Sequence, residues 1–242
     1  MEMQCSSYNL YVLVLACGVG SRMQSSMPKQ FMLLYDKPIV FHTLEKLNSF
    51  DENYKIVLVI NKENEGLFFS LSKEYNLRVP ITIAYGGNER FFSVKNGLEK
   101  ISELQRKTNK KALVAIHDGV RMFVNKQIFE KSFLLARENK NVVTAIQSTD
   151  SVRMMTEEIN KSLNRKQIYL VQTPQTFAFE IIYKAYQQDY KEQFTDDASV
   201  VESIGEEITI VEGNRKNIKI TYPLDLLIAE TILKNEENDR KY

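Results

Sequence analysis

The sequence predicts an α/β fold in a single domain: a mostly parallel sheet with helices on both faces. Three observations carry this. Short apolar runs rich in β-branched residues alternate with stretches of helical periodicity, the short runs are apolar on both faces, and no low-complexity linker or internal repeat divides the 242 residues. The first nine elements follow in order. "YVLVLA" from Tyr11 reads as a strand, "PIVFHTLEKLNSF" as a helix, "YKIVLVIN" as a strand and "EGLFFSLSKEYN" as a helix. "ITIAYGG" is the next strand, "FFSVKNGLEKIS" a helix, "ALVAIHD" a strand, "KQIFEKSFLLAREN" a helix and "VVTAIQ" a strand.

The rhythm stops at residues 148–166, "STDSVRMMTEEINKSLNRK", which carry charges of both signs and neither a clean helical nor a clean strand period. This segment leaves the core, either as a solvated loop or as a projecting hairpin that docks on another subunit. Beyond it, "FEIIYKAYQQDYKE" and "TDDASVVESIG" read as helices and "EITIVEG" and "NIKIT" as strands. "PLDLLIAETILK" reads as a closing helix with Pro223 near its first turn.

With 43% hydrophobic and 26% charged residues the chain can bury one large core. Thirty-two basic against thirty-one acidic residues give a net charge of +1, so no overall field draws it to nucleic acid or to an anionic membrane, and any basic site is local. Val14-Leu15-Ala16-Cys17 has the small-residue form of a lipoprotein cleavage site. An export signal, however, needs a basic n-region; here Glu2 precedes the apolar run and the first basic residue is Arg22, after it. No apolar run approaches the ~20 residues that span a bilayer. Two cysteines, Cys5 and Cys17, make neither a disulfide framework nor a metal pattern, and the expected compartment is the cytoplasm.

The chemistry-bearing residues cluster where strands end. After the first strand stand Gly18, Gly20, Arg22 and Lys29. The loop lacks the third glycine of a dinucleotide fingerprint, where Met23 stands, and the Lys-Ser/Thr of a Walker A loop. It is either an ordinary turn or a glycine-rich turn whose backbone approaches an anion beside two cations. "GGNERFFSV" repeats that logic after another strand. "IHDGVR" brings His117, Asp118 and Arg121 to a strand end. His117 is expected to make a structural hydrogen bond, since no serine or cysteine nucleophile stands at recognisable spacing, and Asp118 to meet a metal ion or a sugar hydroxyl. "QTPQTF", "FTDDAS" and "NIKIT" add hydroxyls and Lys219.

Eight blocks in order, "LACGVGSRM…PKQF", "KPIVFHTLEKL", "GGNERFFSVKNGL", "HDGVRMFV", "LNRKQIYLVQTPQTF", "TDDASVVE", "VEGNRKNIKIT" and "DLLIAETIL", make the chain similar to the 2-C-methyl-D-erythritol 4-phosphate cytidylyltransferase family. Ribitol 5-phosphate cytidylyltransferases share several of the blocks, and "TDDASVVE" leans toward the methylerythritol branch. The resemblance implies a Rossmann-like nucleotidyltransferase (GT-A-like) domain that uses CTP as co-substrate, Mg²⁺ and a polyol phosphate acceptor in a homodimer with exchanged arms. It assigns catalysis to Arg22, Lys29, Arg165 and Lys219. It assigns the nucleotide to Ala16, Cys17, Gly18, Gly20, Gly87, Asn88 and Ser93, the acceptor to Asp118, Arg121, Ser151, Thr173 and Thr195, and a metal to Asp118. A nucleotide-binding module without turnover is the alternative of another class. Three departures from the family pattern stand out: Cys17 where alanine is usual, Met122 in place of the proline after Arg121, and Asp150-Ser151 where Asp-Thr is common.

Overall fold

Tyr8–Leu15 form β1, an inner strand paired in parallel with β4 (Lys55–Ile60) on one side and β6 (Lys111–Asp118) on the other. Its side chains alternate between two cores. Leu10, Val12 and Val14 join the aromatic face of α1 (Ile39–Phe50), α2 (Glu65–Glu74) and α4 (Lys126–Asn139). Tyr11, Leu13 and Leu15 join α3 (Arg90–Gln105), α5 (Phe179–Ala185) and α6 (Asp197–Glu202) on the opposite face. A strand covered on both sides has no polar face, which is why these runs read as continuously apolar. The run that resembles an export signal is thus an interior strand with a hydrogen-bonded neighbour on each side.

The computed structural model describes residues 8–18, 20–23, 27–139 and 141–239. Cys5, Glu2 and Val19, which figure in the sequence reading, lie outside them. Seven strands form the main sheet in the order β11-β7-β10-β6-β1-β4-β5, with β5 at Ile81–Tyr85, β7 at Asn141–Gln147, β10 at Tyr169–Ala178 and β11 at Thr209–Glu212. All pairs are parallel except those of β10, which runs antiparallel between β6 and β7. Its residues before Thr173 therefore lie at the same edge as the carboxyl ends of β1, β4 and β6. A small hairpin of β2 (Leu33–Leu34) and β3 (Lys37–Pro38) precedes α1.

Two sequence expectations change, and of the two forms expected for residues 148–166 the hairpin is the one present. "NIKIT" is not a strand: residues 217–221 form no regular element and are joined to the 119–123 loop by the Ile220 amide donating to the Val120 carbonyl at 3.1 Å. The helix expected over "FEIIYKAYQQDYKE" ends at Ala185, because after Tyr186 the chain must turn to bring Asp196 and α6 against β10. Residues 148–166 contain a hairpin, β8 (Val152–Met155) against β9 (Asn160–Leu163), that pairs with no strand of the main sheet. Met155 at its tip is 76% exposed; a ribbon with no buried face leaves no hydrophobic period to read.

The closing helix, α7 (Pro223–Asp239), begins at Pro223, and the Asp225 carboxylate accepts the Thr221 and Tyr222 amides at 2.8 Å each. It packs with Leu34, Ile39, Val120, Met122, Phe123 and Ile220 in a third cluster. Met122 is buried there and so replaces the usual proline by packing. The turn it belongs to is pinned instead by hydrogen bonds from Gly119 N–H to Leu15 O (2.9 Å), Arg121 N–H to Asp118 O (3.0 Å) and Thr43 Oγ1 to Gly119 O (2.9 Å).

Helix α3 crosses β1 and β4 at Gly97, where a Cβ would press on the Leu13 side chain and lie 3.1 Å from Val59 Cγ2. Leu13 and Val59 are both fully buried, so neither can swing away. Gly97→Ala is expected to cost ~1–3 kcal/mol despite alanine's better helix propensity. The check is a urea melt in which the midpoint falls while the slope stays constant.

Candidate active site

Backbone hydrogen bonds extend the sheet past the strand ends and bring three loops together. The Ala16 amide donates to Val59 O at 2.8 Å, Gly86 to Ile60 O at 2.9 Å and Gly119 to Leu15 O at 2.9 Å. Above them open two adjoining cavities, one of about 340 Å³ and one of about 580 Å³, both bordered by Arg90, Asp118 and Lys219.

The smaller cavity is walled by Ala16, Cys17, Gly18 and Gly20 on one side and by Gly87, Asn88 and Ser93 on the other, with Arg22, Lys29 and Lys219 projecting at it. Gly20 has φ +68°, and a Cβ there would lie 3.2 Å from the Lys29 side chain, so the loop folds tightly over that lysine only with glycine. Gln30, next to Lys29 in a 3-10 turn (Lys29–Phe31), donates from Nε2 to Ala16 O at 2.8 Å and ties the lysine's turn to the glycine loop. Burial first, then repulsion from Lys219 and Arg22, lowers the Lys29 ammonium below its ordinary range. Such a cation gains most from an anion placed beside it. The Arg22 guanidinium lies over the Tyr222 ring at 5.5 Å. On the opposite wall the Ser93 hydroxyl accepts the Gly87 amide at 3.0 Å and donates to Glu89 O at 3.1 Å, shaping the turn whose backbone faces the cavity. Burial pushes the Cys17 thiol up, which keeps it neutral and unsuited to nucleophilic work.

At the boundary of the two cavities stands Asp118, the last residue of β6. Lys219 Nζ lies 2.9 Å and Arg121 Nε 3.3 Å from its Oδ2. Burial alone would raise this carboxyl; the Lys219 ammonium, then the Arg90 and Arg121 guanidiniums, overcome that and hold it well below the usual carboxylate range. Arg121 also donates to Asn217 O at 2.8 Å, which fixes the segment carrying Lys219.

The larger cavity is bordered by Arg121, Thr173 and Thr195, with Tyr169 and Val171 toward its rim. Thr173 is 4% exposed and its hydroxyl has two partners: it accepts the Asp118 amide at 3.1 Å and lies 3.0 Å from His117 Nδ1. His117 Nε2 lies 3.1 Å from Arg121 O. A carbonyl can only accept, so Nε2 carries the proton, Nδ1 accepts, and the threonine donates to it. His117 therefore makes structural hydrogen bonds, and Thr173 holds the Asp118 backbone. Ser151 and Arg165 border neither cavity. Both are exposed at the base of the arm, where Arg165 Nη1 donates to Thr149 O at 2.8 Å.

The structure thus brings together every site residue expected from the sequence except Ser151 and Arg165. It adds residues the sequence reading passed over. Arg90 and Asp197 form a two-pronged ion pair at 2.7 and 2.6 Å, and Gln175 reaches Asp196 Oδ2 at 3.1 Å. The Asp196-x-x-Ser199 spacing, a capping box at the start of α6, was the available signal for the second of these.

The family model described as "IspD: 2-C-methyl-D-erythritol 4-phosphate cytidylyltransferase" matches residues 10–235. A protein of that name from Azobacteroides pseudotrichonymphae is 42% identical over 225 residues, covering 92% of this chain and 98% of its own. One from Bacteroides fragilis is also 42% identical, over 221 residues, with 91% and 98% covered. Among solved structures, 4-diphosphocytidyl-2C-methyl-D-erythritol synthase from Anaerococcus prevotii superposes with a TM-score of 0.79 at 29% identity, covering 94% of this chain and 97% of that one.

The His117 arrangement has a consequence for stability against pH. Burial lowers the imidazole from 6.5 to about 4, so the unfolded chain binds the extra proton in that window and the folded one does not. The contribution is complete above pH 6.5 and is lost as the pH falls toward 4, a swing of ~3 kcal/mol. His117→Gln keeps a neutral donor and acceptor. The difference in urea midpoint between wild type and this variant is expected to shift steadily against wild type between pH 6.5 and pH 4 and to stay constant above pH 7.

Proposed function

The chain belongs to the 2-C-methyl-D-erythritol 4-phosphate cytidylyltransferase family, and from that premise we propose that it transfers the cytidylyl group of CTP to 2-C-methyl-D-erythritol 4-phosphate, releasing pyrophosphate. The observation that carries the reading is the smaller cavity, where a glycine-rich backbone meets Arg22, Lys29 and Lys219, with Asp118 and Glu89 as carboxylate residues of the lining.

In this reaction an acceptor phosphate oxygen attacks the α-phosphorus of CTP. The second pKa of a phosphate monoester is ~6, so the attacking group is already dianionic at neutral pH and needs no general base. That suits a site whose nearby histidine is locked in a neutral structural role and whose cysteine is protonated. The obstacle is repulsion between anions, and the work falls to positive charge and alignment. CTP lies in the smaller cavity with its base against the backbone of Ala16, Cys17, Gly87 and Asn88, in the turn that Ser93 shapes. Arg22 and Lys29 stabilise charge moving toward the leaving pyrophosphate. The polyol phosphate lies in the larger cavity, its phosphate held by Lys219 and its hydroxyl side facing Arg121 and Thr195, while Thr173 fixes Asp118.

A divalent ion fits these residues in one particular way. Among the described residues no group of three or more His, Cys, Asp or Glu side chains is arranged as metal ligands. Asp118, at the boundary of the two cavities with Lys219 and Arg121 on its Oδ2, is the carboxylate that would hold the ion. Mg²⁺ commonly takes one carboxylate and completes its shell with substrate phosphates and water. Bound in this manner it would neutralise triphosphate charge.

The acceptor site is completed by a second copy of the chain in a homodimer, whose arm brings Ser151 and Arg165. Two observations support this. Neither residue borders either of the two site cavities of its own chain, and Tyr169, Leu170 and Val171 at the arm's return strand are 45–51% exposed. No helix among the described residues is long and apolar enough to cross a membrane.

Two experiments test these readings. Arg22→Ala and Lys29→Ala are each expected to lower kcat by ~10²–10³-fold in a pyrophosphate-release assay with CTP, Mg²⁺ and a panel of polyol phosphates. Unaltered turnover in a double Arg22→Gln/Lys29→Gln variant would end the mechanism, CTP binding without release from any acceptor would favour a non-catalytic module, and preference for ribitol 5-phosphate would reassign the acceptor. In the second, Lys29→Ala and Arg165→Ala proteins are mixed and allowed to exchange subunits. With exchanged arms each heterodimer has one intact site, so recovery approaches about a quarter of wild-type specific activity. Zero recovery with heterodimers demonstrated by native mass spectrometry removes the shared site.

A further inference from the structure

The Arg90–Asp197 pair joins the two cavities. Arg90 opens α3 directly after the Gly87-Asn88 turn that borders the smaller cavity. Asp197 opens α6 directly after Thr195 and Asp196, which border the larger one. The guanidinium donates from Nη1 and Nη2 to the two carboxylate oxygens at 2.7 and 2.6 Å, and Asp197 also accepts the Tyr186 hydroxyl at 2.6 Å. The Asp197 side chain is fully buried, and the Asp196 capping box and Gln175 lock α6 behind it. A planar two-pronged bond across 107 positions of sequence transmits displacement and rotation, where a lysine in the same place would be a swivelling point charge.

We propose that this pair is a strut that makes the nucleotide and acceptor sites bind cooperatively: CTP seated against the Gly87-Asn88 turn fixes Arg90, which fixes the Thr195–Ser199 segment in the geometry the acceptor needs. Arg90 is thus a positioning residue for the transfer. The inference rests on the reading of the smaller cavity as the CTP site, and its first test requires no acceptor.

Hydrogen exchange followed by mass spectrometry is measured with and without saturating CTP. In wild type, CTP alone is expected to slow exchange of the amides of residues 195–202 by about fivefold or more, in keeping with coupling factors typical between linked sites. In Arg90→Lys the loop at 86–89 is still protected while 195–202 is not. Equal protection of 195–202 in both proteins, or none in wild type, overturns the strut. In a second arm, titration calorimetry compares 2-C-methyl-D-erythritol 4-phosphate binding with and without a non-hydrolysable CTP analogue. The analogue tightens binding in wild type and leaves it unchanged in Arg90→Lys. If Arg90→Lys fails to fold, the Arg90→Met/Asp197→Leu double variant, which removes both buried charges together, takes its place and is read by the same two outcomes. Failure of the polyol phosphate to bind wild type under either condition counts against the acceptor assignment, while the exchange measurement still decides the strut.

Discussion

One buried carboxylate organises the carboxyl edge of the sheet. Asp118 ends β6 at the boundary of the two cavities, and burial there would favour its neutral form were it not for the three cations aimed at it. Each cation comes from a different part of the chain: Arg90 from the start of α3, Arg121 from the turn after β6, Lys219 from the irregular segment before α7. The charge of Asp118 therefore depends on loops separated by a hundred residues being docked, and their docking depends on its charge. Breaking such a group by removing one partner is far more damaging than never having built it.

The surplus of positive charge beyond that carboxylate gives the site its chemistry. Lys29 and Arg22 face Lys219 across a cavity where four cations, with Arg90, meet two carboxylates, Asp118 and Glu89, and Lys29 is already disfavoured in its charged form by burial and by the neighbouring Lys219 and Arg22. A site prepared in this way stores repulsion that a polyanion relieves. Its walls are backbone and glycine on one side and a serine-held turn on the other, rigid surfaces that let charge act at fixed distances.

How much of this was legible in the sequence follows from the physics of each part. The alternation of doubly buried strands with amphipathic helices is written in side chains whose burial is decided locally, so the β-α order was readable from Tyr11 to Gln147. The glycine loop and the Gly86-Gly87 turn were readable because glycine is needed there, by a φ of +68° at Gly20 and by the close approach of Cys17 to Gly86 and of Phe92 to Gly87. β10 was not, because its ladder is broken between Val171 and Gln175 and its partners are antiparallel and distant. "NIKIT" has a strand's composition but only single hydrogen bonds to hold it. Arg90 and Asp197 escaped because each is an ordinary helix-start residue until the fold brings them together, and His117 was readable as structural only by the lack of anything for it to activate.

The reversal of direction at β10 has a further consequence. The chain leaves the sheet at the end of β7 and returns into β10 at that same edge, so everything between Ser148 and Ile168 is closed at its base by a few hydrogen bonds: the Ser148 amide to the Ile168 carbonyl at 2.9 Å, Gln147 Nε2 to Lys166 O at 2.7 Å and Arg165 Nη1 to Thr149 O at 2.8 Å. An insertion attached in this way can lengthen, shorten or change its tip without altering the register of either parent strand. The fold thus sets aside, beside its substrate-facing edge, a stretch of chain whose evolution is free of the core's packing demands.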